Sequence, residues 1–384
     1  MKKIIAMIFA VGASATVGLS AQQALWGVPE MNSPEINGDN TVTFRLKAPN
    51  ASSVKVKGDF LPGNVADMAK DTAGVWVYTA PAVSSEMYRY NFVVDGLTIT
   101  DPSNVYEVRD ACTVFNYFLV PGDGAELYEV NDVPHGSVSK VWYSSPSLGM
   151  NRRASIYTPP GYEASTDRYP VLYLLHGMGG DEEAWLTQGR AAQIFDNLIA
   201  RGEMQPMIVV MPNGNPSQEA APGETQNGLV APTIALPHTM DGLFEEAFPD
   251  LVVFVDKNYR TLADKSHRAI AGLSMGGYHS HHISKQYPDM FDYVGLFSAA
   301  ITPRAEGSEI YKDSKAKLKR QFADAPSLYW IGIGKDDFLF DENTALRKEL
   351  DDLGIKYVYH QSDGGHIWKN WRKYLSTFAP MLFR

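Results

Sequence analysis

Cysteine is almost missing. Cys112 stands alone in 384 residues, so no intrachain disulfide can form, and no cysteine follows the leader to carry a lipid anchor. Its place in a strand-like run reads as a buried, inert thiol. An excess of basic charge is missing too. Lys and Arg total 34 against 44 Asp and Glu, for a net charge of -10. An acidic chain without basic blocks excludes nucleic acid and anionic membrane surfaces as partners. Long apolar runs are absent beyond the start, so no later stretch reads as a membrane span.

The first residues read as a targeting segment over 1–21. Lys2-Lys3 is the charged start, Ile4 to Val11 the apolar centre, and Gly12 to Ala21 a stretch of mostly small, uncharged residues ending at a cleavage point after Ala21. The expected location is therefore secreted or periplasmic, with no membrane contact once the signal is removed. An exported chain without disulfides must rely on its core, and 45% apolar content is ample for one.

Residues 25–121 carry short stretches of period two. Val42, Phe44 and Leu46 alternate with polar neighbours, as do Val54 and Val56, and the run Tyr88, Tyr90, Phe92 and Val94 ends at the turn Asp95-Gly96. With Val75 to Tyr78 and Val114 to Val120 these make an antiparallel β-sandwich with no convincing helix. No constellation of acid, base and nucleophile lies in it, so it is expected to contribute little to chemistry. Trp76 and Tyr78 are candidate sugar-stacking aromatics. Pro121-Gly122-Asp123-Gly124 closes the domain, and 122–134 read as a linker.

From 135 to 384 the pattern changes. Val138 to Tyr143 and Arg153 to Tyr157 look like paired strands. Apolar runs then follow at Val171–Leu175, Met207–Met211, Ala269–Leu273, Tyr293–Phe297, Leu328–Ile333 and Tyr357–His360. Helical segments alternate with them at Ala191–Arg201, Gly242–Asn258, Gly277–Tyr287 and Thr344–Leu353. Strand–helix alternation predicts a parallel sheet covered on both faces, with the active groups at the carboxyl ends of its strands.

Those ends hold the polar residues. Gly272-Leu273-Ser274-Met275-Gly276 is a G-x-S-x-G between strand and helix, the mark of a nucleophile elbow. Ser274 must sit in a strained turn, so its neighbours two residues away lack a Cβ. His176-Gly177-Met178-Gly179-Gly180 ends the strand Val171–Leu175, and such a turn supplies a second oxyanion donor. Met178 N–H and Met275 N–H are the candidate pair. Asp336-Asp337 and His366 follow the last two strands, giving the chain order serine, acid, histidine. His366 is preferred to His360, which lies inside a strand. Spacing alone leaves Asp336 and Asp337 open as the acid. His279, His281 and His282 fall on different helix faces, so no shared metal is expected; His279 remains a candidate for lining the pocket. The aperiodic stretch Gly214 to Thr239 reads as a substrate-facing flap. Trp185, Phe338 and Trp368 are candidate aromatic walls.

Together His176-Gly177-Met178-Gly179-Gly180 with Trp185, Met211-Pro212-Asn213, the elbow, Phe297-Ser298-Ala299-Ala300 and Gly364-Gly365-His366 resemble the esterase D-like α/β-hydrolases. The nearest look is to feruloyl and acetyl-xylan esterases of the first carbohydrate-esterase family. Tyr88 to Gly96 with Asp101-Pro102-Ser103-Asn104 resembles the immunoglobulin-like early-set domains found ahead of glycogen-branching enzymes. The resemblance implies an immunoglobulin-like sandwich followed by an α/β-hydrolase domain. It implies a Gly-x-x-Asp acid, which places the acid on Asp337, and puts Asn213 beside the substrate. It implies esters of plant cell-wall polysaccharide as substrate, feruloyl before acetyl, with siderophore esters of the enterochelin type as the rival, and no cofactor.

Overall fold

The computed structural model describes residues 31–225, 233–303 and 308–384. The expected leader at 1–21 and the centre of the expected flap lie outside them.

The first domain is a sandwich of two antiparallel sheets. Its strands are β1 (Glu35–Ile36), β2 (Val42–Lys47), β3 (Val54–Gly58), β4 (Val65–Asp67), β5 (Ala69–Lys70), β6 (Val75–Ala80), β7 (Glu86–Val94), β8 (Leu97–Ile99), β9 (Glu107–Asp110) and β10 (Thr113–Val120). One sheet runs β1-β2-β6-β5. The other runs β4-β3-β7-β10-β9, with β8 paired to β7. The alternating residues of the sequence supply the core: Val42, Phe44, Val56, Tyr90, Phe92 and Phe118 are buried together, as a period of two on a half-buried sheet requires.

Two expectations fail here. Trp76 is buried in the sandwich core, with Nε1–H donating to Ala48 O at 2.9 Å, and Tyr78 packs against the same core, so Trp76 offers no stacking face to a sugar. Cys112 is exposed rather than buried. It occupies the tip of the β9–β10 hairpin, beside Ala111 at φ 51°, where the chain reverses and the Cys112 side chain is left in solvent.

Residues 122–134 are also more than a tether. Ala125 and Tyr128 are buried in the core of the second domain. Asn197 Nδ2 donates to the carbonyls of Leu127 and Glu129 at 3.1 and 3.0 Å.

The second domain is built on a mixed sheet of β11 (Ser137–Ser145), β12 (Met150–Thr158), β13 (Val171–Leu175), β14 (Ile208–Pro212), β15 (Arg268–Leu273), β16 (Tyr293–Phe297), β17 (Leu328–Gly334) and β18 (Val358–Ser362). Its order is β11-β12-β14-β13-β15-β16-β17-β18. β11 and β12 run antiparallel to their neighbours, and β13 onward are parallel. The chain leaves β13 toward one side and returns as β15 on the other. A crevice opens at such a switch point, and ligands bind there.

Around the sheet lie α1 (Ala184–Thr187), α2 (Ala191–Ala200), α3 (Leu243–Asn258), α4 (Met275–Gln286), α5 (Ser314–Gln321), α6 (Phe340–Asp352) and α7 (Trp368–Phe378). Leu172, Leu174 and Ala271 face α2 and α7. Val171, Tyr173 and Ile270 face α3, α4 and α6. With both faces covered, the strands read as unbroken apolar runs. Helix α7 is absent from the sequence expectations, although Trp368, Trp371, Leu375 and Phe378 repeat at helical spacing and are all buried.

Helix α4 is buried all round and carries charge inside. Lys285 is 1% exposed; its Nζ donates to Ser314 Oγ at 2.7 Å and lies 3.0 Å from His281 Nε2. Burial pushes its ammonium down to about 7 and holds His281 and His282 well below the ordinary histidine range. The unfolded chain, with this amine at its ordinary 10.5, binds more protons than the folded one between about pH 7 and that value. Stability therefore rises with pH from 7 toward 9, before tyrosine ionisation in the unfolded chain reverses the trend. Urea midpoints at pH 7 and 9 should show this rise, and Lys285→Met should flatten it.

Candidate active site

Ser274 joins β15 to α4 with φ 53° and ψ -114°. A side-chain-bearing residue held there stores about 1–3 kcal/mol of strain, which the surrounding backbone maintains. Ser274 N–H donates to Phe297 O at 2.8 Å, and its carbonyl accepts from Tyr278 and Ala300 at 3.0 and 3.1 Å. The flanking glycines are needed for contact. A Cβ on Gly272 would lie 2.5 Å from the Gly276 carbonyl, and one on Gly276 would lie 2.3 Å from Leu175 O. Met275 opens α4, so its N–H has no acceptor within the helix and points to the elbow side with the positive end of the helix dipole.

The neighbouring strand β13 delivers the loop His176–Gly180. A Cβ on Gly177 would lie 3.3 Å from Ser274 Cβ, so the loop lies directly against the elbow. His176 is buried and fully committed. Its Nδ1–H donates to Gly177 O at 2.7 Å and its Nε2 accepts from Gly214 N–H at 2.7 Å. Burial pushes it down to about 4, so it stays neutral and shapes the loop instead of exchanging protons. Met178 is 43% exposed and lines the cavity above Ser274.

At the far strands, the two aspartates separate. Asp336 is exposed, while Asp337 is 4% exposed. His366 Nδ1 lies 3.0 and 3.1 Å from the two oxygens of Asp337, and Leu339 N–H donates to the same carboxylate at 2.9 Å. Burial acts to raise the pKa of this carboxyl, but the hydrogen bonds from His366 and Leu339 outweigh it and leave Asp337 below the ordinary carboxylate range. The acid and histidine loops are locked together. Lys335 N–H donates to Ser362 O at 2.9 Å and Asp336 N–H to Gly364 O at 3.1 Å.

Ser274, Met178, Met275 and His366 all line one cavity of about 810 Å³. Phe338 and Trp368 line it as well. Phe338 is 75% exposed and packs its ring 4.5 Å from that of His366. The other proposed binding residues are elsewhere. Trp185 is buried beneath the floor, with Nε1–H donating to Leu175 O at 2.9 Å and its ring edge against Trp368. Asn213 is buried, and its Nδ2 donates to Glu182 at 3.1 Å to fix the strand end. His279 is buried against Glu245 at 2.9 Å and does not line the cavity. None of the three lines the cavity.

Several wall residues escape the sequence reading. Trp371 packs edge-on to His366 at 4.9 Å; its spacing of three from Trp368 on a helix was the available signal. Leu236 comes from the flap and Met240 directly follows it. Arg89 and Asp110 come from the sandwich, and nothing in the sequence signals a wall shared between domains.

Comparison with known proteins agrees with this architecture. The Esterase family profile matches residues 145–382, and that of carbohydrate-binding module 48 (isoamylase N-terminal domain) matches residues 31–106. The endo-1,4-beta-xylanase/feruloyl esterase of Xylanibacter ruminicola is 31% identical over 363 residues, covering 93% of this chain and 46% of its own length, so the chain spans about half of that relative. The acetyl esterase of Caldicellulosiruptor saccharolyticus is 25% identical, covering 56% of this chain and 84% of its own. Among solved structures, a ferulic acid esterase superposes with a TM-score of 0.51 at 29% identity over 64% of this chain and 98% of its own. The enterobactin esterase of Shigella flexneri superposes with a TM-score of 0.62 at 17% identity over 89% of this chain and 93% of its own, and so shares the two-domain fold. With 145–382 matched and the elbow in place, the chain belongs to the esterase family of α/β-hydrolases.

Proposed function

We propose that the protein is an exported serine carboxylesterase that releases ferulate from plant cell-wall polysaccharide such as arabinoxylan. The observation that carries this reading is the bonded pair Asp337–His366 sharing one aromatic-walled cavity with a strained Ser274. His366 takes the proton of Ser274 as Oγ attacks the ester carbonyl, and Asp337 holds the imidazole and stabilises its charge. Met178 N–H and Met275 N–H bind the oxyanion, each such donor contributing about 3–4 kcal/mol. His366 then protonates the departing sugar alcohol. Water, activated by the same histidine, releases the acid from the serine ester. The 31% identical feruloyl esterase relative supports the acyl group.

A planar phenolic acyl group suits this cavity. Phe338, Trp368 and Trp371 offer ring surface beside His366. Burying that ring is worth roughly 1.5–3 kcal/mol, a term acetate cannot collect. The expected kcat/KM for methyl ferulate therefore exceeds that for an acetylated xylo-oligosaccharide by at least about tenfold. Preference for acetate would overturn the feruloyl reading and leave the serine esterase intact. Siderophore-ester hydrolysis is the second reading, favoured by the two-domain likeness to the enterobactin esterase; turnover of enterobactin above that of methyl ferulate would establish it.

A further inference from the structure

The oxyanion loop is held by the sandwich, and the holding group is an ion pair across the domain boundary between the buried Asp181 and the half-buried Arg109. Asp181 closes the loop that begins at His176 and is 3% exposed. Its Oδ1 accepts from Glu183 N–H at 3.0 Å and its backbone carbonyl from Ala184 N–H at 3.1 Å, which ties it to the start of α1. Its Oδ2 meets the guanidinium of Arg109, on β9 of the sandwich. Arg109 is itself fixed from both sides. Its Nη1 donates to Ala111 O at 2.9 Å, and its backbone carbonyl accepts from Gln188 Nε2 at 3.0 Å. Gln188 in turn accepts from Arg89 at 2.8 Å, and Arg89 pairs with Asp110 at 2.5 Å. The hairpin tip touches the loop as well. Gly179 sits at φ 77°, and a Cβ built on it would lie 2.7 Å from Ala111 Cβ.

We propose that the sandwich is a positioning element for the oxyanion hole, and that Arg109 is the positioning residue, acting through Asp181 on the loop that carries Met178 N–H. This rests on the serine-esterase reading above. The loop is neither helix nor strand, so side-chain anchors decide its shape. His176 anchors the strand end and Asp181 the helix end. Without Arg109, Asp181 becomes a buried carboxylate lacking its countercharge, and the loop must open to hydrate it. A displacement of about 1 Å at a catalytic donor is enough to cost on the order of 10² in rate. The loss falls on kcat, because this donor strengthens its bond only as the carbonyl becomes an oxyanion. The hairpin thus gives the sandwich a part in turnover even of small soluble esters, contrary to the expectation that it contributes little to chemistry.

The test uses the full chain, with rates expressed per site titrated to completion by a fluorophosphonate, so that misfolded protein does not count. Arg109→Ala should lower kcat for methyl ferulate by about 10- to 100-fold with KM within about twofold. Arg109→Lys, which keeps the charge, should recover most of the loss. An arylboronic acid, which adds to a serine Oγ and places an oxygen in the hole, should lose affinity by the same factor as kcat. Arg45→Ala breaks a pair with Glu35 elsewhere in the sandwich and should leave kcat unchanged. If Arg109→Ala fails to fold, Arg109→Gln, which keeps a donor toward Asp181 without the charge, should fold and show a smaller fall in kcat with a matching fall in boronate affinity. Wild-type kcat and boronate affinity in the folded variant would overturn the proposal, as would an equal loss in Arg45→Ala. Retained activity in Ser274→Ala would instead overturn the serine-esterase reading itself, so the two failures are distinct.

Discussion

Replacing Ser274 with alanine is expected to lower kcat by about 10⁶, the loss that follows removal of a nucleophile from a unit of this kind. The effect should fall on turnover and spare the fold. The backbone bonds that hold the elbow, from Ser274 N–H to Phe297 O and from Tyr278 and Ala300 to Ser274 O, involve no side-chain atom. Alanine meets the same strain at φ 53° as serine does. Glycine does not, so Ser274→Gly should be equally inactive and melt higher than Ser274→Ala. Initial rates on methyl ferulate and thermal unfolding of both variants check this. A Ser274→Ala enzyme within tenfold of wild type would rule out Ser274 as the nucleophile.

The second large effect separates the adjacent aspartates. Asp337→Asn is expected to lower kcat by about 10⁴, because the amide offers its Nδ2 donor to an imidazole that needs an acceptor and so favours the wrong tautomer. Asp336→Asn should change kcat by less than about twofold, since that carboxylate is exposed and surface substitutions away from such features are close to neutral. The same pair of variants reads the acid limit of stability. Asp337 is held below its ordinary value in the fold, so it contributes stability at neutral pH that is lost as pH falls through the folded value. Asp337→Asn should unfold with a weaker pH dependence below pH 4 than Asp336→Asn. The reverse order of activity loss would move the acid by one position.

The parallel half of the fold was legible because local and long-range demands agree there. A strand buried on both faces must be apolar throughout, and β13, β15, β16 and β17 announce themselves as such runs. The elbow was legible for a steric reason. Gly272 and Gly276 approach each other and Leu175 so closely that no Cβ fits, which forces a motif onto the chain. The identity of the acid was not legible from spacing. Asp336 and Asp337 differ by one residue in a turn, and only the fold buries one and exposes the other.

Aromatic walls mislead for a related reason. Trp185, Phe338 and Trp368 all follow loops at the carboxyl edge of the sheet, and sequence treats them alike. Yet Trp185 Nε1–H reaches down to Leu175 O, while Phe338 stands 75% exposed over His366. The direction of a side chain from a loop is set by what the loop packs against, and that partner is remote in sequence. Cys112 and Trp76 exchanged their expected environments because a period of two does not mark where a hairpin turns or which sheet face is inward.

By itself, then, the sequence determined the order of the domains, the sheet that carries the site, and the serine and histidine at its edge, because each follows from periodicity or from a turn that admits only glycine. Only the tertiary structure decided that the sandwich shares the cavity wall through Arg89 and Asp110 and pairs its Arg109 with Asp181 at the end of the loop that begins at His176. Those contacts join residues 72 positions apart between Arg109 and Asp181. Charge pairing between separate domains leaves no period, spacing or composition in either segment, since it is a property of how two finished surfaces meet.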